Sequence, residues 1–320
     1  MPLSPNPFAL KQPEKNPDIF ISLEDLLRFE WMHSLFPSKL GKQRSNSILS
    51  GRFASRQRGR GLDFEESRPY TIGDDIRNID WKVTAKTGTT HTKVFTEEKE
   101  KPAFIFVDQS PTMGFGSQQK TKSVTAAQLA AIAAYKVLKS GDRVGGMVYT
   151  GNGYELVTPK RDRRNILHFF QKIVEANNQI YQPHDFDFSE SLKTIVSKLH
   201  NVVTHDFMVV FISDFYRYDP KVLESLCEIA EHNDLLLLKV QDPMEVELPH
   251  QKLTLGDGQK QIQIDGRKKN LPPQLKADFE QNFKQFETEL AKYNIPIYPI
   301  STVGKVEDQL LEHFNPALRK

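Results

Sequence analysis

The sequence has almost no cysteine and no long apolar run, and each absence excludes classes of protein. Cys227 is the single cysteine among 320 residues, so the chain has no disulfide framework and no thiolate metal centre. No apolar stretch approaches the roughly 18 residues of a transmembrane helix, and the N-terminus lacks the apolar core of a secretory signal. These absences predict a cytoplasmic protein that does not span a membrane.

The charges are nearly balanced, and a phosphate-binding glycine loop is missing. Lysine and arginine number 43 against 41 aspartates and glutamates, which is a formal net charge of +2. This balance argues against a nucleic-acid-binding protein, which typically carries an excess of positive charge. No Gly-x-x-x-x-Gly-Lys-Ser/Thr motif occurs, so the chain is not expected to be a P-loop ATPase.

From residue 101 onward, strand-like runs alternate with amphipathic segments. The predicted parallel strands lie at 103–107, 143–149, 207–212, 235–240 and 297–300. Alternation of this kind is typical of an α/β fold with a doubly wound, mostly parallel sheet. Two further short strands around a Gly-Asp-Gly turn predict a hairpin excursion near 241–270.

Three oxygen-bearing side chains follow the first of these strands. Asp108, Ser110 and Thr112 stand on the loop between the apolar run 103–107 and a helical pattern that opens near Thr121. The carboxyl edge of an open α/β sheet is where ligands bind. One carboxylate and two hydroxyls suit Mg²⁺ or Mn²⁺ better than zinc. The alternative interpretation is an aspartate that hydrogen-bonds its own turn and caps the next helix.

The apolar run 207–212 also stops at a hydroxyl and an acid, Ser213 and Asp214. If the two strands are parallel neighbours, both carboxylates lie at the same edge of the sheet. The sequence therefore predicts that Asp108 and Asp214 belong to one site.

Two different segments precede the sheet. Residues 1–38 combine a proline-rich arm with an amphipathic helix from Ser22 to Leu35. Its apolar stripe, which includes Trp31, is expected to pack on the α/β domain, and the alternative is a partner surface. Residues 39–100 form a charged segment with short strands, basic at first and acidic afterwards, in which Trp81 is predicted to be a packing anchor. Residues 101–320 are then the α/β domain.

Two stretches, GRGLDFEESRPYTIGDDIRNIDWKVTAKTG and KVFTEEKEKPAFIFVDQSPTMGFGS, resemble the bacterial "domain of unknown function fifty-eight" family, with a von Willebrand factor A-like domain. The resemblance extends from Gly51 to the C-terminus. The matching positions of the charged segment are Gly59, Arg60, Gly61, Arg68, Pro69, Tyr70, Gly73, Asp74, Asp75, Arg77, Asp80, Trp81 and Lys82.

The resemblance implies a von Willebrand A fold and its metal-ion-dependent adhesion site. Asp108, Ser110 and Thr112 match the first element of that site and Asp214 the third. Phe186 stands where the middle element has a threonine, and the flanking Asp185 and Asp187 are candidates to supply an oxygen instead.

The resemblance also implies a non-enzymatic adaptor that links a MoxR-type AAA+ ATPase to a client protein. The partner-binding residues would be Arg60, Arg68, Tyr70, Asp74, Asp75, Arg77, Asp80, Trp81 and Lys82. The alternative for this segment is internal pairing, in which Arg60, Arg68 and Arg77 bind nearby acids.

A hydrolase is the competing function. Asp108 could be the nucleophile of a phosphatase, although Ser110 stands where such enzymes carry a second aspartate, and serine is a poor general acid near neutral pH. Asp74, Asp75, Asp80 and Lys82 could form a metal-dependent nuclease site by residue type alone.

Overall fold

The computed structural model describes residues 16–32, 62–97, 101–182, 188–215, 220–246, 249–256, 261–265, 267 and 271–314. The chain divides into two compact units, a large unit of Met1–Gly41 with Lys101–Lys320 and a small unit of Lys42–Glu100. The predictions for Arg60, Asp185, Phe186 and Asp187 lie outside the described residues.

Helices and strands alternate through the large unit, as the sequence predicts. The elements in chain order are α1 (Leu23–Leu27), β1 (Leu62–Pro69), α2 (Trp81–Thr87), β2 (His91–Glu97), β3 (Ala103–Asp108), α3 (Lys122–Ser140), β4 (Val144–Tyr149), β5 (Tyr154–Lys160), α4 (Arg163–Gln179), α5 (Phe188–Val202), β6 (Met208–Ser213), α6 (Pro220–His232), β7 (Asp234–Gln241), α7 (Pro243–Val246), β8 (Lys252–Gly256), β9 (Gln261–Asp265), α8 (Leu271–Lys292), β10 (Ile297–Ser301) and α9 (Val306–Phe314). Within the described residues, none of these helices is both long enough and apolar enough to cross a bilayer.

The large unit is built on a six-stranded sheet in the order β10-β7-β6-β3-β4-β5. Only the pairing of β5 with β4 is antiparallel among these strands. Helices α1, α3, α4 and α9 cover one face, and α5, α6 and α8 cover the other. The predicted fold class, an α/β fold with a doubly wound and mostly parallel sheet, is confirmed. The predicted hairpin excursion is β8 with β9.

β3 lies in the middle of this sheet because both of its faces are apolar. Every residue from Ala103 to Asp108 is buried. Ile105 and Val107 belong to the core under α3, while Phe104 and Phe106 belong to the core on the opposite face. Phe106 stacks on Phe211 of the neighbouring β6 with ring centroids 3.9 Å apart. A strand buried on both faces has no polar side to turn to water, which fixes it at the centre.

α3 packs closely against the sheet. The Thr121 side chain accepts a hydrogen bond from the Val124 N–H at the start of the helix, and Gly141 ends it with a left-handed φ of 85°. Most side chains of α3 are buried, and many of them are alanines. Small side chains allow a helix to approach a sheet closely, and this close packing fixes the N-terminus of α3 beside the loop that follows β3.

The N-terminal helix is shorter than predicted. The expected capping box is present, because Ser22 and Asp25 exchange hydrogen bonds. After Leu27, however, the chain continues as a 3₁₀ helix over Arg28–Met32, which has three residues per turn instead of 3.6. The change in phase leaves Leu26 and Phe29 in the core and turns Trp31 outward, with 86% of its surface exposed. Leu26 thus packs on the large unit as expected, whereas Trp31 does not, and Leu35 at the predicted end of the helix lies outside the described residues.

The small unit is an antiparallel pair of strands with a folded connection. β1 pairs with β2 from Leu62↔Glu97 to Pro69↔His91. The connection contains a 3₁₀ turn, Ile76–Asn78, and helix α2. Ile79 forms an isolated bridge to Thr92 of β2, which holds the connection to the strands.

Gly146 in β4 provides a test of the packing around β3. A Cβ at this position would lie 2.2 Å from the Ile105 carbonyl oxygen and 2.7 Å from the Phe169 ring, and the carbonyl belongs to a central strand that cannot move aside. We expect Gly146→Ala to lower the free energy of unfolding by about 1–3 kcal/mol, measured by urea denaturation. Gly153→Ala is the matched control, because its Cβ would meet only the Thr150 Oγ1 at 3.9 Å. Equal stability of the two variants would contradict the assigned packing.

Candidate functional site at the carboxyl edge of the sheet

The ends of β3 and β6 lie side by side. The two strands are parallel and in register from Ala103↔Met208 to Val107↔Ile212. Asp108 and Asp214, which follow these paired residues, are both buried at the carboxyl edge. The structure therefore brings the two predicted carboxylates to the same edge. Parallel pairing is the physical reason, because it aligns the carboxyl ends of neighbouring strands.

Asp108 is enclosed by hydrogen-bond donors. Its Oδ1 accepts the Ser110 N–H at 2.9 Å, and its Oδ2 accepts the Ser213 hydroxyl at 2.6 Å. The side chain is only 1% exposed. Burial, and next the negative charge of Asp214, raise the pKa of Asp108 to about 6. The Ser110 contact is the local turn hydrogen bond that the alternative interpretation predicted, and the Ser213 contact adds a link to the neighbouring strand.

The two loop hydroxyls face each other. Ser110 Oγ and Thr112 Oγ1 are 3.3 Å apart. Ser110 is fully buried, while Thr112 is partly exposed. Thr112 lies in the short 3₁₀ segment Pro111–Gly114, and Ser110 precedes this segment as its N-cap residue. The Ser110 side chain makes no capping hydrogen bond. The hydroxyls are therefore held together beside Asp108 without being used to cap a helix.

A buried lysine that the sequence analysis missed binds Asp214. The Lys122 Nζ lies 2.8 Å from Asp214 Oδ2 and 2.5 Å from Glu245 Oε1. Its side chain is 1% exposed. Burial acts to lower the pKa of Lys122, but Asp214 and Glu245 outweigh it and hold that pKa above its ordinary value. The ammonium thus connects the end of β6 to the segment after β7.

Asp242 extends the cluster to the last strand. Its carboxylate accepts hydrogen bonds from the Ser117 hydroxyl and, at 2.7 Å, from the Thr302 hydroxyl. Glu245 Oε2 accepts the Asp242 N–H at 3.0 Å. Burial acts to raise the pKa of Asp242, but the hydrogen bonds from Ser117 and Thr302 help to keep that pKa below its usual range. The ends of β7 and β10 are thereby tied to the loop before α3.

A signal for Lys122 was present in the sequence. It occupies the first position of α3, after the Thr121 cap. A cation is disfavoured there by the helix dipole, and the following turns of α3 are apolar and rich in alanine. A lysine that violates both preferences indicates a buried carboxylate partner. Identifying that partner required the fold, since Asp214 and Glu245 are 92 and 123 positions away.

In the small unit, three of the predicted partner-binding residues hold the connection together. Arg68 binds Asp74 through both nitrogens, at 2.9 and 2.7 Å. This bidentate bond is the first cause that lowers the pKa of Asp74, to about 2. Asp80 accepts the Ser67 hydroxyl at 2.7 Å and caps α2 through the N–H groups of Lys82 and Val83. The Arg68–Asp74 bond is therefore an internal pairing of the kind that the alternative interpretation of this segment predicted.

The remaining predicted residues of this unit lie nearer to the surface. The Tyr70 hydroxyl donates to the Asp74 carbonyl at 3.3 Å, and the Asp75 carboxylate accepts the Arg77 N–H at 3.0 Å. Arg77 and Lys82 are exposed. Trp81 is 71% exposed, so its prediction as a packing anchor was wrong: it stands at the first position of α2, with its ring in water.

The structure does not assemble a nuclease site from the acids of the small unit. Asp74 is bound to Arg68 and Asp80 caps α2. Throughout the described residues, no three histidine, cysteine, aspartate or glutamate side chains form a group that could hold a metal ion. A phosphatase nucleophile at Asp108 stays a prediction, because the single hydrogen bond on each oxygen of that carboxylate leaves lone pairs on both.

Comparison with family models identifies the chain. The model described as "Protein of unknown function DUF58" matches residues 66–287, which span most of the small unit and the greater part of the sheet. The chain belongs to the DUF58 family. The uncharacterized protein Rv1480 of Mycobacterium tuberculosis strain H37Rv is 29% identical to this DUF58 chain over 240 residues, which cover 74% of the chain and 73% of that protein.

Solved structures with similarity to this DUF58 chain include two bacterial proteins. The conserved hypothetical protein BatB from Bacteroides thetaiotaomicron matches with a TM-score of 0.42 and 14% identity, over 69% of this chain and 100% of BatB. The von Willebrand factor type A protein from Catenulispora acidiphila matches with a TM-score of 0.34 and 10% identity, over 72% of this chain and 44% of that protein.

The sheet edge of this DUF58 chain has the donor chemistry for a hard divalent ion. Asp108, Ser110 and Thr112 are the residues that would hold Mg²⁺ or Mn²⁺, since carboxylate and hydroxyl oxygens are ligands of such ions. Asp214 contributes negative charge beside them, but one of its oxygens is bound to Lys122. The residues present thus fit an ion that completes its coordination with water or with an oxygen from a partner.

The raised pKa of Asp108 predicts a pH effect on stability. Because this pKa is about 6 in the folded protein and 3.8 ordinarily, the folded state binds a proton more readily between these values. The Asp108 contribution to the free energy of unfolding should therefore increase as pH falls from 7 towards 4. We expect the stability difference between wild type and Asp108→Asn to shift in favour of wild type from pH 7 to pH 5, measured by urea denaturation. A difference that is independent of pH would contradict the assigned burial of Asp108.

Proposed function

We propose that this chain is a non-enzymatic interaction module of the cytoplasm that links a MoxR-type AAA+ ATPase to a client protein. The exposure of large apolar side chains on the small unit carries the proposal. Ile72 is fully exposed, Ile76 is 68% exposed and Trp81 is 71% exposed. All three lie in the stretch 72–81, which we call the apolar stretch. Large apolar side chains that stay in water are typical of protein contact sites, and tryptophan is enriched among their strongest contacts.

The framework beneath the apolar stretch supports this role. The Arg68–Asp74 bond closes the turn that carries Ile72. The Asp80 cap orients the first turn of α2, where Trp81 stands. A surface that is ordered before binding loses less conformational entropy when its partner arrives. The charged residues thus position the contact, and the apolar residues make it. We assign this surface to the ATPase.

The carboxyl edge of the sheet is the second contact site of the proposal. Ser110 and Thr112 hold their hydroxyls together next to Asp108, and Thr112 is partly exposed. A divalent ion at this position would supply positive charge to which a carboxylate of the client could bind. The contribution of the chain is the arrangement of the three oxygen-bearing side chains by the β3 loop.

The apolar stretch gives the first test of the adaptor. Trp81→Ala removes the largest exposed side chain of the small unit without opening the core. We expect it to weaken binding of the ATPase by about 2 kcal/mol, or roughly thirtyfold in Kd, in a pull-down followed by calorimetric titration. The melting temperature should remain that of wild type, since an exposed side chain contributes little to stability.

Trp31→Ala is the matched control for that measurement. Trp31 is likewise an exposed tryptophan, but it belongs to the large unit. Its removal should leave ATPase binding unchanged. Equal loss in both variants, or full binding by Trp81→Ala, would reject the apolar stretch as the ATPase contact.

The metal site gives the second test. Mg²⁺ and Mn²⁺ are titrated calorimetrically into wild type and Asp108→Ala, and a client pull-down is run with and without a chelator. We expect ion binding to be lost in Asp108→Ala, because the carboxylate is the charged ligand of the set. The client complex should be sensitive to the chelator. A complex that forms equally well with the chelator would remove the ion from recognition and leave the apolar stretch as the proposed surface.

A further inference from the structure

Lys122 is an unusual residue to find beside the proposed cation site at the edge of the sheet. It is a cation at the N-terminal end of α3, where the helix dipole disfavours positive charge. It is also buried, with 1% of its side chain exposed, and an ammonium group loses much of its hydration there. Both costs are offset by its contacts with Asp214 and Glu245. The ammonium of Lys122 thus lies inside the carboxylate cluster, and a second buried lysine, Lys239 of β7, stands close enough for the charges of Glu245 and Asp214 to act on it.

The two carboxylates that hold Lys122 have different relations to Asp108. Asp214 follows the strand adjacent to β3, and its charge acts directly on Asp108. Glu245 lies on α7 after β7 and is anchored by the Asp242 N–H instead. One ammonium therefore joins a carboxylate of the ion site to a carboxylate outside it.

We infer that Lys122 is a tethered cation that competes with a divalent ion for Asp214, and that Glu245 holds the ammonium when Asp214 turns to the ion. This inference rests on the proposed ion site at Asp108, Ser110 and Thr112. When the ammonium stays on Asp214, the charge of that one carboxylate is balanced internally and Asp214 does not need an ion. When it stays on Glu245 alone, Asp214 adds its full charge to the ion site.

This exchange regulates the proposed recognition from a second place in the fold. Asp242 links Glu245 to Ser117 and Thr302. A partner or ligand that shifts α7 would change how strongly Glu245 holds Lys122, and so would change the affinity of the edge for its ion. Affinity for the ion is then set by the position of one lysine as well as by the ligands themselves.

Calorimetric titration of Mn²⁺ into single variants tests the inference. Lys122→Met keeps the length of the side chain but removes its charge, and it should bind Mn²⁺ about tenfold more tightly than wild type, because Asp214 no longer faces a competing cation. Glu245→Gln should bind Mn²⁺ more weakly than wild type, because the ammonium is left to Asp214. Lys120→Met is the control, since Lys120 binds Gln128 and lies outside the cluster, and it should bind Mn²⁺ like wild type.

The outcomes separate this inference from the proposed function. Binding that depends on Asp108 but is the same in wild type and Lys122→Met overturns the competition and leaves the ion site intact. Mn²⁺ binding that is undetectable in every variant overturns the competition and the ion site together, while ATPase binding through Trp81 is tested separately. If Lys122→Met is unfolded, recovery of its circular dichroism spectrum on adding Mn²⁺ supports the inference. Failure to recover, together with wild-type affinity in Glu245→Gln, overturns it.

Discussion

A carboxylate can be buried only when donors or positive charge replace its water, and this constraint organises the carboxyl edge of the sheet. Asp108, Asp214 and Asp242 are all buried there. Hydroxyls of neighbouring strands and loops satisfy Asp108 and Asp242, while Asp214 receives an ammonium group. The loops after β3, β6 and β7 and the start of α3 are consequently joined through polar contacts. The same polar contacts therefore build the candidate site and hold these loops of the fold together.

Much of this fold could be predicted from the sequence because its signals are local. The apolar run 103–107 is buried on both faces, as are residues 209–212 of the second run, and Thr121 and Gly141 mark the ends of α3. Parallel neighbours follow from alternating strands and helices. The prediction that Asp108 and Asp214 lie at the same edge of the sheet therefore required only the assumption that β3 and β6 are adjacent.

The contacts that the sequence did not reveal are between distant residues or depend on a change of helical phase. Lys122 finds Asp214 and Glu245 through the folded topology, which residue spacing does not encode. Trp31 turns outward because a 3₁₀ segment replaces the expected α-helix. In the small unit, residue type did not separate the charged residues that hold the connection from those that face water. Arg68 and Asp74 bind each other, whereas Arg77, Lys82 and Trp81 are exposed.

The two edge strands of the large sheet limit the ways in which a partner can bind. β5 and β10 form its edges, and each contains one proline, Pro159 and Pro299. Proline lacks the N–H that an added strand would need, and natural proteins use it to prevent strands from pairing edge to edge. The sheet is thus poorly suited to extension by a peptide strand from another molecule. The proposed recognition would therefore rely on side chains and loop ends of this unit, whose specificity can change by point substitution while the hydrogen-bonded core of the sheet stays the same.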